Sequence, residues 1–229
     1  MTVASGSLLA GTALLAGTAS LSLPGRGEVT VRPAGGGDAD GLAALYEGLD
    51  AEDRHLRFFS VYRPGRAFFE EMATVADRGG FRLVAESMPA TGPRAGKRRI
   101  VGEAGYSMLA NGDGELGMTV ARAWRGSLGS FLLDSLLAAA HARSVPNLEA
   151  EILSTNAPML ALARARGAVR MNLPEWAIVR ALIPTSPAGP ESVRSTAQFS
   201  GGDPSSRRRI PTREPQGEDG GEALSGRPR

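Results

Sequence analysis

Seven residues, WRGSLGS (124–130), stand between a charge-poor strand, ELGMTVAR (115–122), and an apolar helix, FLLDSLLAAAHAR. A helix that starts straight after a turn rich in small residues leaves its first backbone N–H groups unpaired and aimed at one point. The positive end of the helix dipole adds to them, and the combination suits a pyrophosphate. A phosphate-bearing ligand is the chemistry this spacing points to. Glu115 opens the strand that runs into the turn, and Glu103 lies on the neighbouring strand. Either carboxylate can take a proton from a reacting group, directly or through water. Neither G-x-G-x-x-G nor a Walker lysine is present, which leaves a nucleotide-binding protein the weakest reading.

The chain has 229 residues with 42% hydrophobic content, enough for one well-packed domain with tails. Its formal net charge is only +2, with basic and acidic residues interspersed, so no nucleic-acid footprint is expected. Zero cysteines exclude disulfides, thiolate nucleophiles and Cys-ligated metals. With only His55 and His141, a His-rich metal site is not expected. The uncharged run SLLAGTALLAGTASLSL (7–23) is Ala/Gly-rich, and no Lys or Arg precedes it. It is read as the end of a low-complexity, disordered extension over 1–27 rather than an export signal or membrane span. A membrane role is not expected, and the location is read as cytoplasmic. Residues 186–229 are Pro, Gly, Ser, Arg and Glu with almost no large apolar residues, the composition of a disordered tail.

The body over 28–185 supplies the elements that position the turn. A strand over 28–32 ends at Pro33, and three helices follow: ADGLAALYEGL, AEDRHLRFFSVY and GRAFFEEMATVAD. Asp38 or Asp40 is placed to cap the first, and Asp50 or Glu52 the second. FRLVAE (81–86), IVGEAGYSML (100–109) and 115–122 read as three strands, the last two joined by the turn NGDG. In the helix after the turn, Leu128, Leu132, Leu136 and Ala140 recur every fourth residue and bury one face. A strand LEAEIL, a helix PMLALARAR and a last strand WAIVRALI complete the order. A doubly wound nucleotide fold alternates strand and helix throughout, and the central three-strand meander does not.

This order, with WRGSLGS and the downstream STNAPMLALARARGA, resembles the GNAT superfamily of N-acetyltransferases over essentially the whole body. RHLRFF (54–59) and the acidic residue opening the strand are similar to the branch containing bacterial protein lysine acetyltransferases. The resemblance implies an α+β fold, a mixed, largely antiparallel central sheet flanked by helices. It implies that Arg125, Gly126, Ser127, Leu128, Gly129 and Ser130 hold the pyrophosphate of acetyl-CoA. The backbone of Met118 and Val120 would hold the pantetheine arm, and Asn156 would touch that arm or order the neighbouring loop. The branch usually reads Trp-Gln-Gly-Arg-Gly-Leu-Gly-Ser, one residue longer. Aligned on Gly129, Ser127 stands in place of a glycine that needs positive φ.

The reaction so implied is direct attack of an uncharged amine, from a small molecule or a protein lysine, on the thioester of acetyl-CoA. Glu115 is the expected base and Glu103 the reserve. Many GNAT enzymes use a Tyr on the last helix as general acid, but PMLALARAR has none. Tyr106, on a strand, is the alternative. Arg54, His55 and Arg57 either line the acceptor side or form a helix surface. The alternative function is a catalytically weakened GNAT-fold module that binds acyl-CoA or regulates.

Overall fold

Residues 18–23, 26–88, 96–170 and 177–186 are described by the computed structural model. All fall in the first of the chain's two units, Met1–Pro190; none belongs to the second, Glu191–Arg229. The elements run β1 (Ala19–Leu23), β2 (Gly27–Pro33), α1 (Ala39–Glu47), α2 (Ala51–Phe58), α3 (Arg66–Ala73), β3 (Phe81–Ser87), β4 (Arg99–Met108) and β5 (Gly114–Val120). There follow α4 (Ser127–Ala142), β6 (Asn147–Leu153), α5 (Ala157–Arg164), β7 (Val169–Arg170) and β8 (Ile178–Pro184). The strands form one mixed sheet in the order β1-β2-β3-β4-β5-β6-β8-β7. Every neighbouring pair is antiparallel except β5–β6, which is parallel across the α4 crossover.

Local sequence explains most of these elements. In β2 the alternation of GEVTVRP buries Val29 and Val31 completely. The β4–β5 hairpin closes where Leu109 N donates to Asp113 O at 2.9 Å, with Gly112 at φ +88° supplying the left-handed turn. Asp50 caps α2 as expected, its carboxylate accepting from Asp53 N at 2.8 Å. Asp38 precedes α1 but makes no side-chain cap bond to it. Its carboxylate is held instead by both Nη atoms of Arg32, at 2.7 and 2.8 Å.

One expectation is corrected at the N-terminal side. Residues 19–23, read as part of an unstructured extension, form β1 and pair with β2 from Ala19↔Val31 to Leu23↔Gly27. ASLSL alternates, and the sheet edge lets it bury Ala19 and Leu23. The expectations for residues 1–17 and 187–229 lie outside the described residues, as do 89–95 of the β3–β4 loop and Trp176 of the last strand.

The sheet carries a core on each face. On one, Leu128, Leu132, Leu136 and Ala140 of α4 are fully buried against β3–β6 and β8. On the other, Leu42, Leu45 and Tyr46 of α1 pack with Phe69 and Met72 of α3 over Val84 and Ile100. Among the described residues no helix is long and apolar enough to cross a membrane.

Candidate active site

β5 ends at Val120, and a short 3-10 turn, Arg122–Trp124, leads to Gly126 at the head of α4. The helix therefore begins at Ser127, four residues earlier than the sequence suggested. Ser127, Leu128, Gly129 and Ser130 form its first turn rather than a loop before it. Gly126 sits at φ +96°, ψ −109°, a conformation that only glycine adopts without strain. The positive φ falls on Gly126 and not on Ser127, because one glycine suffices to turn a shorter connection into the helix. Among the described residues, no protein acceptor pairs with the N–H groups of Gly126, Ser127, Leu128 or Gly129. Ser130 N reaches back to Gly126 O at 3.5 Å.

The side chains of this segment are engaged elsewhere. The Arg125 guanidinium pairs with Asp53 of α2 at 2.6 Å, and Arg26 donates to the Arg125 carbonyl at 3.0 Å. Ser130 Oγ accepts from Arg166 at 2.6 Å, and Arg166 also bonds Asp134 at 2.6 Å, which ties the end of α5 to α4. Leu128 is fully buried in the core. At the head of α4, Gly126 and Ser127 are exposed, whereas Leu128 and Gly129 are buried.

β5 and β6 pair only at Gly114↔Leu148 and Glu115↔Glu149, and then separate. On its other edge β5 stays paired with β4 as far as Gly102↔Val120. The β6-facing edge of residues 116–120 is thus left open. The side chains of Leu116, Met118 and Val120 pack on the α4 face of the sheet. Asn156 caps α5, its side chain accepting from Met159 N at 3.2 Å.

Glu115, Gly117 and Thr119 lie on the opposite face, with Glu103, Gly105 and Ser107 beside them on β4. Here the structure places a cleft of about 260 Å³ between the sheet and α2–α3. Glu115, Arg57, Arg82, Phe58, Phe68 and Gly117 are among its lining residues. Glu103, the reserve base, is not an outward-facing residue. It is completely buried, paired with Arg82 of β3 and accepting from Tyr46 OH at 2.9 Å. Tyr46 OH in turn accepts from Thr119 Oγ1 at 3.0 Å and from Arg57 Nε at 3.3 Å. Burial, and then the Glu103 charge, push the Tyr46 hydroxyl up to about 12, so it remains a donor. Burial works against the Arg57 charge, but the oxygens of Tyr46, Glu103 and Glu115 outweigh it and raise the guanidinium further. Glu103 is committed to this network, which leaves Glu115 on the sheet and Glu71 at the rim as the exposed carboxylates lining the cleft.

Of the RHLRFF residues, only Arg57 and Phe58 line the cleft. Arg54 is buried and donates to the Leu49 carbonyl, while His55 is exposed. Tyr106 is fully buried on the α4 side of the sheet, across from Glu115, and its hydroxyl has no partner among the described residues. The sequence reading missed Tyr46, Arg82 and the bond from Thr119 to Tyr46; it had placed Thr119, with Met118 and Val120, only in the stretch before the turn. A usable signal was present in Gly105 and Gly117, since glycine inside a strand marks close approach. A Cβ at Gly105 would meet Arg82 Cβ at 2.9 Å, and one at Gly117 would collide with the Arg57 guanidinium. Among the described residues no cluster of His, Asp and Glu could hold a metal ion.

Solved structures share this fold. The GNAT domain of PAT from S. lividans superposes with a TM-score of 0.61 at 24% identity, covering 73% of this chain and 96% of that one. A ribosomal-protein-alanine N-acetyltransferase from Brucella melitensis gives 0.51 at 23% identity, over 67% of this chain and 97% of that one. A GNAT phosphinothricin acetyltransferase from Sinorhizobium meliloti, solved in complex with AcCoA, gives 0.53 at 20% identity, over 68% and 88%. No family model matches the sequence. At these identities the likeness is one of architecture: the chain has the fold of these GNAT structures, a mixed, largely antiparallel sheet flanked by helices.

Proposed function

We propose that the chain is an N-acetyltransferase that moves an acetyl group from acetyl-CoA to a primary amine by direct attack. The observation that carries this is the set of unpaired N–H groups at residues 126–129, beside the β5 edge left open after Glu115. Backbone donors at a helix head need an anion or water to satisfy them, and a pyrophosphate fits four convergent N–H groups. Gly126 is exposed and nothing lies within 4 Å of a Cβ built on it, whereas Gly129 is buried, where a Cβ would meet Leu162 at 3.8 Å. The S. meliloti neighbour, which has the same fold, was solved with AcCoA.

In this reading Gly126, Ser127, Leu128 and Gly129 supply the phosphate donors, and Arg125 and Ser130 brace the turn through Asp53 and Arg166. The open edge at Met118 and Val120 offers backbone groups to the pantetheine arm. Asn156 orders the neighbouring loop as the cap of α5. Acetyl-CoA supplies the thioester carbonyl and, after transfer, departs as the thiolate. Glu115 accepts the proton that the acceptor ammonium must lose, directly or through water, a contribution of about 10²–10⁴ in rate. Holding both substrates in line contributes up to about 7–11 kcal/mol.

A second reading, an acyl-CoA-binding or regulatory module without turnover, draws on two observations. α5 carries no tyrosine, and Tyr106 points into the core. Titration of the protein with acetyl-CoA, CoA and ATP, by calorimetry and thermal shift, tests what the two share. Binding of the CoA species but not ATP is expected, and binding of none removes both. Release of free CoA with a panel of small amines and lysine peptides then separates enzyme from module. Turnover is the expected result, and coenzyme binding without turnover on any amine favours the module.

A further inference from the structure

The cleft beneath α2 and α3 holds a positive and a negative group, Arg57 and Glu115, that feel each other's charge but form no salt bridge. Arg57 spends its Nε on Tyr46 OH, and its guanidinium lies 5.3 Å from the centre of the Phe58 ring. Among the described residues no acceptor pairs with its two Nη atoms, and no carboxylate lies within the 4.0 Å of a salt bridge. The nearby buried carboxylate, Glu103, is taken by Arg82 and Tyr46. Gly117 makes the floor flat enough for the guanidinium to rest on it, since a side chain there would displace it. A guanidinium that is permanently charged and half-buried, with its fork left open toward the cleft, is matched by a carboxylate.

Glu115 stands in the same cleft and pairs with no cation among the described residues. Glu71 and Arg78 at the rim are exposed, and Arg78 is turned onto the Glu71 carbonyl at 2.9 Å. Phe58, Phe68, Met72 and Val75 give the cleft an apolar lining. A cleft of about 260 Å³ that holds opposite charges apart is complementary to a molecule carrying the reverse pair a few bonds apart.

We propose that the acceptor is a small amino acid with an apolar side chain. Its amine faces Glu115, its carboxylate is forked by Arg57, and its side chain lies on the Phe58–Phe68 wall. This rests on the acetyltransferase reading and narrows it. A peptide lysine brings an ammonium on an apolar stem and no anion, and would leave the open fork of Arg57 unanswered. In the transfer the ammonium first gives a proton to Glu115. The freed amine nitrogen then bonds the acetyl carbon and the carbon–sulfur bond breaks. The second proton shed by the nitrogen passes to the departing CoA thiolate through solvent, so that the amide and CoA are the products.

The test uses the full chain with saturating acetyl-CoA and follows free CoA. The acceptors are methionine, leucine and phenylalanine, the carboxamide of each, and a lysine peptide with blocked termini. At least one free acid is expected to exceed its carboxamide in kcat/KM by roughly 10- to 100-fold, and to exceed the peptide. Arg57→Gln is expected to raise KM for the acid by a similar factor and KM for the carboxamide by much less, and Arg57→Lys to restore part of the loss. Equal use of acid and carboxamide overturns the proposal, as does preference for the peptide. The acid–carboxamide comparison on the unaltered protein decides the matter even where a variant fails to fold. Calorimetric titration of the same amino acids into the protein without coenzyme separates the two levels. Binding of acid over carboxamide there supports the cleft assignment whether or not acetyl-CoA binds. Binding of acetyl-CoA with neither binding nor turnover of any amino acid overturns the assignment and leaves the acetyltransferase reading standing.

Discussion

At the head of α4 the unpaired donors are main-chain groups from one continuous stretch. The cleft on the other side of β5 draws its charges from side chains on α1, α2, β3, β4 and β5. The first device is indifferent to most side-chain identities. Exposed Ser127 does as well as any residue so long as Gly126 can turn the chain and buried Leu128 seats the helix on the core. The second depends on every member, because Arg57 is held by Tyr46, Tyr46 by Glu103 and Thr119, and Glu103 by Arg82. Substitutions should therefore affect folding and catalysis on the cleft side, and coenzyme affinity on the α4 side.

The largest effect is expected at Glu103. Replacing it with alanine leaves Arg82 charged and buried without its partner, and Tyr46 without its acceptor. Urea denaturation should show a loss of about 3–5 kcal/mol, whereas a loss below about 1 kcal/mol would mean that the buried pair is not integral to this face. Glu115→Gln comes next. It should lower kcat/KM by about 10²–10⁴, roughly 3–5 kcal/mol of barrier, and leave acetyl-CoA affinity and stability as they were. Parent-like turnover would remove Glu115 as the base.

Gly126→Ala probes the other side. Forcing a Cβ into φ +96° costs about 1–2 kcal/mol, and relaxation of the turn should weaken acetyl-CoA binding about tenfold. Gly129→Ala, whose Cβ has room, should remain as stable as the parent in the same titration. The smallest effect is expected at Asn156, where alanine removes the α5 cap. Thermal unfolding should report about 1 kcal/mol, with little change in coenzyme affinity. A large loss of affinity instead would give Asn156 a direct contact with the pantetheine arm.

The same contrast explains what could be read from the chain. The leucine stripe of α4, the meander and the glycine turn are local patterns, and their periods survive in the sequence. The helix start was misplaced because Ser127–Ser130 look like turn residues until Gly126 alone is seen to make the bend. β1 was missed because ASLSL is only marginally apolar and gains its order from the edge of β2. The Arg82–Glu103–Tyr46–Arg57 network joins residues up to 57 positions apart and has no local signature. Charged residues in a strand ordinarily read as solvated. Only Gly105 and Gly117, which make room for two arginines, hinted at it.

Amide hydrogen exchange at residues 126–129, followed with and without acetyl-CoA, addresses the central claim most directly. The account predicts that the N–H groups of Gly126, Ser127, Leu128 and Gly129 exchange more slowly once the coenzyme is bound, with CoA protecting them equally well. Unchanged exchange at these four positions under saturating acetyl-CoA would contradict it.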